Sequence, residues 1–95
     1  MIRVDVGPRL SRSARGLGDQ IIAEVEGKLT LVSWHFGEPH RHSGLGWRKL
    51  GQRSDEARVS RGLRILFIRE TDRVTAYDLM DHHQGTQWLK PRKGD

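Results

Sequence analysis

The sequence predicts a small α+β domain in which an N-terminal strand and a helical hairpin pack on a small twisted antiparallel sheet. Three observations predict it. Met1 to Val6 sets Ile2, Val4 and Val6 against Arg3 and Asp5, the two-residue period of a strand with one buried face. Leu17, Ile21, Val25 and Leu29 recur every four residues, with Ile22 and Val32 widening the stripe, as a helix buried along one side requires. From Ala57 onward, apolar segments separated by short polar turns spell an antiparallel meander. A chain of 95 residues has material for one core, so residues 1–95 read as a single domain.

Each element has a local cause. Gly7-Pro8 ends the first strand, and Ser11 or Ser13 is expected to cap the helical segment. Gly16, Gly18 and Gly27 each cost a helix interior about 1 kcal/mol relative to alanine. The span from Ser11 to Trp34 should therefore break into two helices near Gly16 to Gly18, with Trp34 closing the second as a core residue. Gly37, Pro39, Gly44, Gly46 and Gly51 then punctuate a basic loop holding a short strand at Trp47 to Leu50. Ala57 to Ser60 and Leu63 to Arg69 flank Arg61-Gly62, a tight connection with glycine where a positive φ is expected. Val74 to Met80 follows across Glu70 to Arg73. Apart from Arg64, Leu63 to Ile68 is apolar on both faces, as befits a central strand covered on both sides. Lys90 to Asp95 is a polar tail expected to fray.

Seventeen Lys and Arg against twelve Asp and Glu give a formal charge of +5 and a pI near 10.4. Such a balance suits a nucleic acid, an acidic membrane face or an acidic protein. The absence of cysteine excludes disulfides and thiolate metal sites. No apolar run approaches the roughly 20 residues of a membrane span, so a cytoplasmic protein without a membrane partner is expected.

The chemistry concentrates where Arg58, Arg61 and Arg64 head the most apolar strand. A buried guanidinium is costly unless an anion meets it. Arg58 and Arg64, separated by a tight turn, should fall on adjacent antiparallel strands with Cβ atoms about 5 Å apart, where two guanidinium forks can share one phosphate. The competing structural reading pairs these arginines with Asp55, Glu56 or Asp78. Arg41, Arg48 and Lys49 lie in the Gly-rich basic segment and suit phosphate contact, against the reading of an ordinary solvated loop. His40-x-His42 and the distant His82-His83 lack a carboxylate or cysteine at helical spacing, so neither a metal nor another cofactor is expected. Neighbours on a strand point to opposite faces, so at most one of His82 and His83 looks toward the arginines. Histidine titrates near neutrality and suits proton transfer, and His83 is preferred. Trp47 and Trp88 flank basic residues and can stack on bases, a contact worth about 1 to 3 kcal/mol, although packing under the sheet competes for both. Tyr77 reads as a packing residue.

Ala57-Arg58-Val59-Ser60-Arg61-Gly62-Leu63-Arg64-Ile65-Leu66 and Leu79-Met80-Asp81-His82-His83, taken with the order of elements, resemble the RelE/ParE superfamily of type II toxins. The ending "DHHQGTQW" resembles a branch found fused to DNA helicases, in which "DHHDxAYxW" follows the last strand. Here Gln84 and Gln87 stand at that branch's Asp and Tyr. The resemblance implies a toxin silenced by a cognate acidic antitoxin. RelE-like branches dock on the ribosome and cleave messenger RNA without metal, and ParE-like branches poison DNA gyrase. Under the first reading Arg58, Arg64 and His83 are the expected catalytic residues, and Arg41, Arg48, Lys49, Arg61, His82 and Trp88 the substrate contacts. The alternative is a non-catalytic binding module of the same fold, either gyrase-poisoning or a basic nucleic-acid-binding accessory domain.

Overall fold

A computed structural model describes residues 1–36, 46–60 and 62–81. Arg41, Arg61, His82, His83, Trp88, His40, His42 and the polar tail lie outside the described residues. The elements are β1 (Arg3–Val6), α1 (Pro8–Leu17), α2 (Asp19–His35), β2 (Trp47–Lys49), β3 (Ser54–Ser60), β4 (Leu63–Arg69) and β5 (Arg73–Asp81). They build a five-stranded sheet in the order β1-β5-β4-β3-β2 with the helices on one face. The α+β expectation holds.

Neighbours from β2 to β5 are antiparallel, as predicted. The edge strand β1 is the exception: it runs parallel to β5, with Val4 opposite Val74 and Val6 opposite Ala76. The cause is topological. The helical hairpin carries the chain from one edge of the sheet to the other, and the reversals from β2 onward bring β5 back beside β1 in the same direction.

The helices break where expected but are capped differently. Gly18 sits between them at φ +100°, a conformation that side chains rarely adopt. Ser11 and Ser13 lie inside α1, not at its cap. The helix starts at Pro8, whose fixed φ and missing N–H suit the first helical position, and Gly7 is the N-cap. Ser13 instead donates from Oγ to Asp78 Oδ1 at 2.8 Å, and Arg9 approaches Asp78 Oδ2 at 3.3 Å. These contacts tie α1 to β5.

Leu10 and Ala14 of α1 and Val25 and Val32 of α2 pack against Ala57, Ile65, Phe67, Val74, Ala76 and Leu79 of the sheet. Trp47 joins this core, its ring centroid 4.9 Å from Phe67 and 5.1 Å from Phe36, so packing and not base stacking accounts for it. Leu66, out of phase with Ile65 and Phe67, is buried on the other face, as the doubly apolar strand predicted. Two expectations fail. Trp34 is 57% exposed because it lies off the Val25–Val32 stripe of α2, and Leu17 is 54% exposed because the stripe does not continue across the Gly18 break. Among the described residues no helix is long and apolar enough to cross a membrane.

Two of the hairpin's glycines make opposite predictions. Gly27 lies within α2 with open space where a Cβ would go, so Gly27→Ala should raise stability by about 0.5 to 1 kcal/mol. Gly18→Ala meets a positive φ and should destabilise by about 1 kcal/mol or more. Urea denaturation midpoints check both.

Candidate anion-binding site

The β3–β4 register puts Arg58 directly opposite Arg64, and the pairing shifts immediately beyond, between Arg58 and Ser60. The connecting Gly62 has φ +80°, as expected for the tight turn. Two guanidinium stems therefore leave adjacent strands side by side, Arg58 exposed and Arg64 half-buried.

Glu56 precedes Arg58 by two residues and so shares its side of β3. Its carboxylate is only 5% exposed; Arg48 Nε lies 3.0 Å from Oε1 and Arg64 Nη1 3.7 Å from the same oxygen. The first distance is that of a charge-assisted hydrogen bond and the second that of a Coulombic contact. Register explains the grouping, since Glu56 pairs with Arg48 on β2 and with Leu66 on β4. Of the three carboxylates weighed as partners, Glu56 meets Arg64, Asp55 pairs with Arg69, and Asp78 is engaged by α1.

Two further residues shape this corner. Gly46 accepts a hydrogen bond from the Arg58 N–H at 3.3 Å, and a Cβ at Gly46 would lie 3.1 Å from that of Arg58. A larger residue there would press on the arginine stem. On α2, burial and then the charge of Arg58 hold the Lys28 ammonium below its usual pKa.

Arg48 and Lys49 separate. As strand neighbours they point to opposite faces: Arg48 joins Glu56 and Arg64, whereas Lys49 is opposite Asp55. Asp55 is buried, and that burial raises its pKa above the ordinary carboxylate value, outweighing the opposing charge and hydrogen bond of Arg69, the charge of Lys49 and a hydrogen bond from Trp47. The structure thus brings together Arg48, Arg58 and Arg64 among the expected residues and leaves Lys49 outside the cluster. The sequence marks Glu56 only as a possible ion-pair partner and gives no sign of the role of Gly46 at this corner. The one available signal was the two-residue spacing of Glu56 and Arg58.

Two arginines on the Glu56 carboxylate, with Arg58 opposite Arg64, leave an excess of positive charge, an arrangement that can hold a phosphate and neutralise charge developing on it. Among the described residues no group of three or more His, Cys, Asp or Glu could hold a metal ion.

Neither the family models nor the curated proteins match this chain. Among solved structures it is similar to the conserved hypothetical protein HP0894 from Helicobacter pylori, known from a solution structure. The TM-score is 0.54 at 14% identity, covering 87% of this chain and 97% of that one. A likeness at such identity shows the fold, and the architecture is consistent with the RelE-like fold that the sequence resemblance implies.

Asp55 supplies a pH prediction. Because its folded pKa is raised, its protonated form favours the native state. That contribution is complete below the ordinary carboxylate pKa and is lost as pH rises through the folded value. Relative to Asp55→Asn, which cannot titrate, the native protein should therefore lose stability as pH climbs out of the acid range. Urea titrations of both proteins from pH 4 to neutrality measure the difference, and a gap that does not change with pH contradicts the assignment.

Proposed function

We propose that the protein is the toxin of a type II toxin–antitoxin pair, acting in the cytoplasm as a metal-independent endoribonuclease on ribosome-bound messenger RNA. The observation that carries this reading is the placement of Arg58 opposite Arg64 on the central hairpin. Cleavage through the ribose 2'-hydroxyl needs cations around a crowded phosphorane and a group that moves protons. In this reading Arg58 and Arg64 share the scissile phosphate, and Glu56 holds Arg64 and Arg48 in place. His83, two residues past the end of β5, transfers the proton. Arg48 contacts neighbouring phosphates, with Lys49, Arg41, Arg61, His82 and Trp88 as further substrate contacts. A cognate acidic antitoxin is the expected partner.

One observation favours a second reading. Glu56 already engages both Arg48 and Arg64. A carboxylate that satisfies these cations suits a non-catalytic module, which would poison a partner such as DNA gyrase or bind nucleic acid without cutting it.

Two measurements separate the readings. Arg64→Ala should slow messenger cleavage in translation extracts by roughly 10²-fold, the cost of losing one pre-organised charge-stabilising donor, and the native products should end in a 2',3'-cyclic phosphate. Growth arrest with uncut messenger hands the function to the binding module, and cleavage at a 2'-deoxy site rules out attack by the ribose 2'-hydroxyl. RNA binding should also weaken with salt, with a log–log slope that falls by about one unit when Arg48 is neutralised. An unchanged slope would remove Arg48 from the RNA contacts.

A further inference from the structure

The outer face of α2 carries no charge. With Val25 and Val32 turned to the sheet, a period of about 3.6 residues per turn places Gln20, Ala23, Gly27, Thr30, Leu31 and Trp34 on the opposite side, and all six are exposed. In a chain of which 31% is charged, a solvent-facing helix would ordinarily carry its charges there. The two polar members are turned back on the helix itself: Thr30 Oγ1 donates to Glu26 O at 3.1 Å, and Gln20 Nε2 donates to Glu24 Oε1 at 3.5 Å. What this strip offers to its surroundings is apolar.

It is also bulky at one end and slim at the other. Leu31 and Trp34 occupy the C-terminal part, whereas Gly27, Ala23 and Gly18 lead back toward the N-terminus. At Gly18 and Gly27 nothing lies within 4 Å of where a Cβ would sit. Such a surface complements itself when reversed: two copies running antiparallel about a two-fold at Gly27 lay Leu31 and Trp34 of each over the slim end of the other. Charge agrees with shape. Asp19, Glu24 and Glu26 stand in the first half of α2, and Lys28 and His35 in the second. Reversal sets the acidic half of one helix along the basic half of the other, brings opposite ends of the two helix dipoles together and puts Glu24 of one copy on the same flank as Lys28 of the other. Glu24 can respond, since its Oε2 has no hydrogen-bond donor among the described residues. A parallel pair would oppose the acidic halves, and an acidic segment from another protein would meet the same three carboxylates.

We propose that this face of α2 joins two copies of the chain into a two-fold symmetric dimer, the helices antiparallel and crossing at Gly27. Arg58 and Arg64 alternate with the core residues Ala57 and Ile65 and so leave the sheet on the face away from α2. Pairing therefore leaves the candidate anion site uncovered, and the dimer does not depend on the toxin reading.

Sedimentation velocity should show a species of twice the 10.9 kDa chain at about 100 µM that dissociates toward about 1 µM. Gly27→Glu, which sets two carboxylates against each other at the two-fold, should weaken the dimer by about tenfold or more, and so should Leu31→Glu. Both positions are exposed, so circular dichroism at low concentration should show the helices of both variants intact. The chain has no cysteine, so single cysteines report the direction of pairing. Gly27→Cys should form a disulfide with its mate under mild oxidation, which needs Cα atoms within about 7 Å. Gln20→Cys, about 21 Å from its mate along antiparallel axes, should not. A monomer at every concentration, a dimer indifferent to both glutamate variants, or cross-linking of Gln20→Cys as readily as of Gly27→Cys each overturns the proposal.

Discussion

The register of β3 against β4 is the constraint on which the candidate site depends. It sets Arg58 opposite Arg64. Like charges in directly opposed positions destabilise a sheet. At about 5 Å and an effective dielectric near 20, two unit charges repel by about 3 kcal/mol, less as the guanidinium heads splay apart. The apolar residues that follow Arg64 hold the register: slipping β4 by one residue would carry Ile65 and Phe67 out of the core and Arg64 into it. Burial elsewhere on the hairpin thus maintains a concentration of positive charge that the pair would not adopt by itself and that a bound anion would relieve.

The first half of β3 shows how the rest of the sheet accommodates this. Asp55 and Glu56 are adjacent, both buried, and directed to opposite faces. Each is met by arginine: Asp55 by Arg69 on one face, Glu56 by Arg48 and Arg64 on the other. The consequences differ. Around Asp55 burial outweighs the ion pair, whereas Glu56 sits between two cations and joins three strands. Through Glu56 the short strand β2 becomes part of the site, and Trp47 anchors that strand by packing on Phe67. Gly46, just before β2, keeps the approach to Arg58 clear.

Legibility followed the strength of each physical signal. The alternation of Ile2, Val4 and Val6, the glycine break at Gly18 and the tight turn at Gly62 each have a local cause, and each was readable. The opposition of Arg58 and Arg64 followed from turn length alone. The start of β3 was not readable, because Ser54-Asp55-Glu56 is polar and becomes a buried strand only through arginines brought from β2 and β4. For the same reason Glu56 could be named as a possible partner but not as the centre of a cluster. The parallel β1–β5 pairing depends on the route of the whole chain, which no local pattern encodes. Trp34 was misplaced because aromatic size suggests burial, whereas its angular position on α2 decides it.

The central claim is that Arg58 and Arg64 act as one anion site and not as two surface charges. A double-mutant cycle tests it most directly: binding of a short RNA carrying a 2'-deoxy sugar at the scissile position, measured for the native protein, Arg58→Ala, Arg64→Ala and the double variant. Two arginines sharing one phosphate should give losses that are far from additive, with a coupling of about 1 kcal/mol or more. Losses that simply add, or no loss at all from Arg64→Ala, would contradict the shared site.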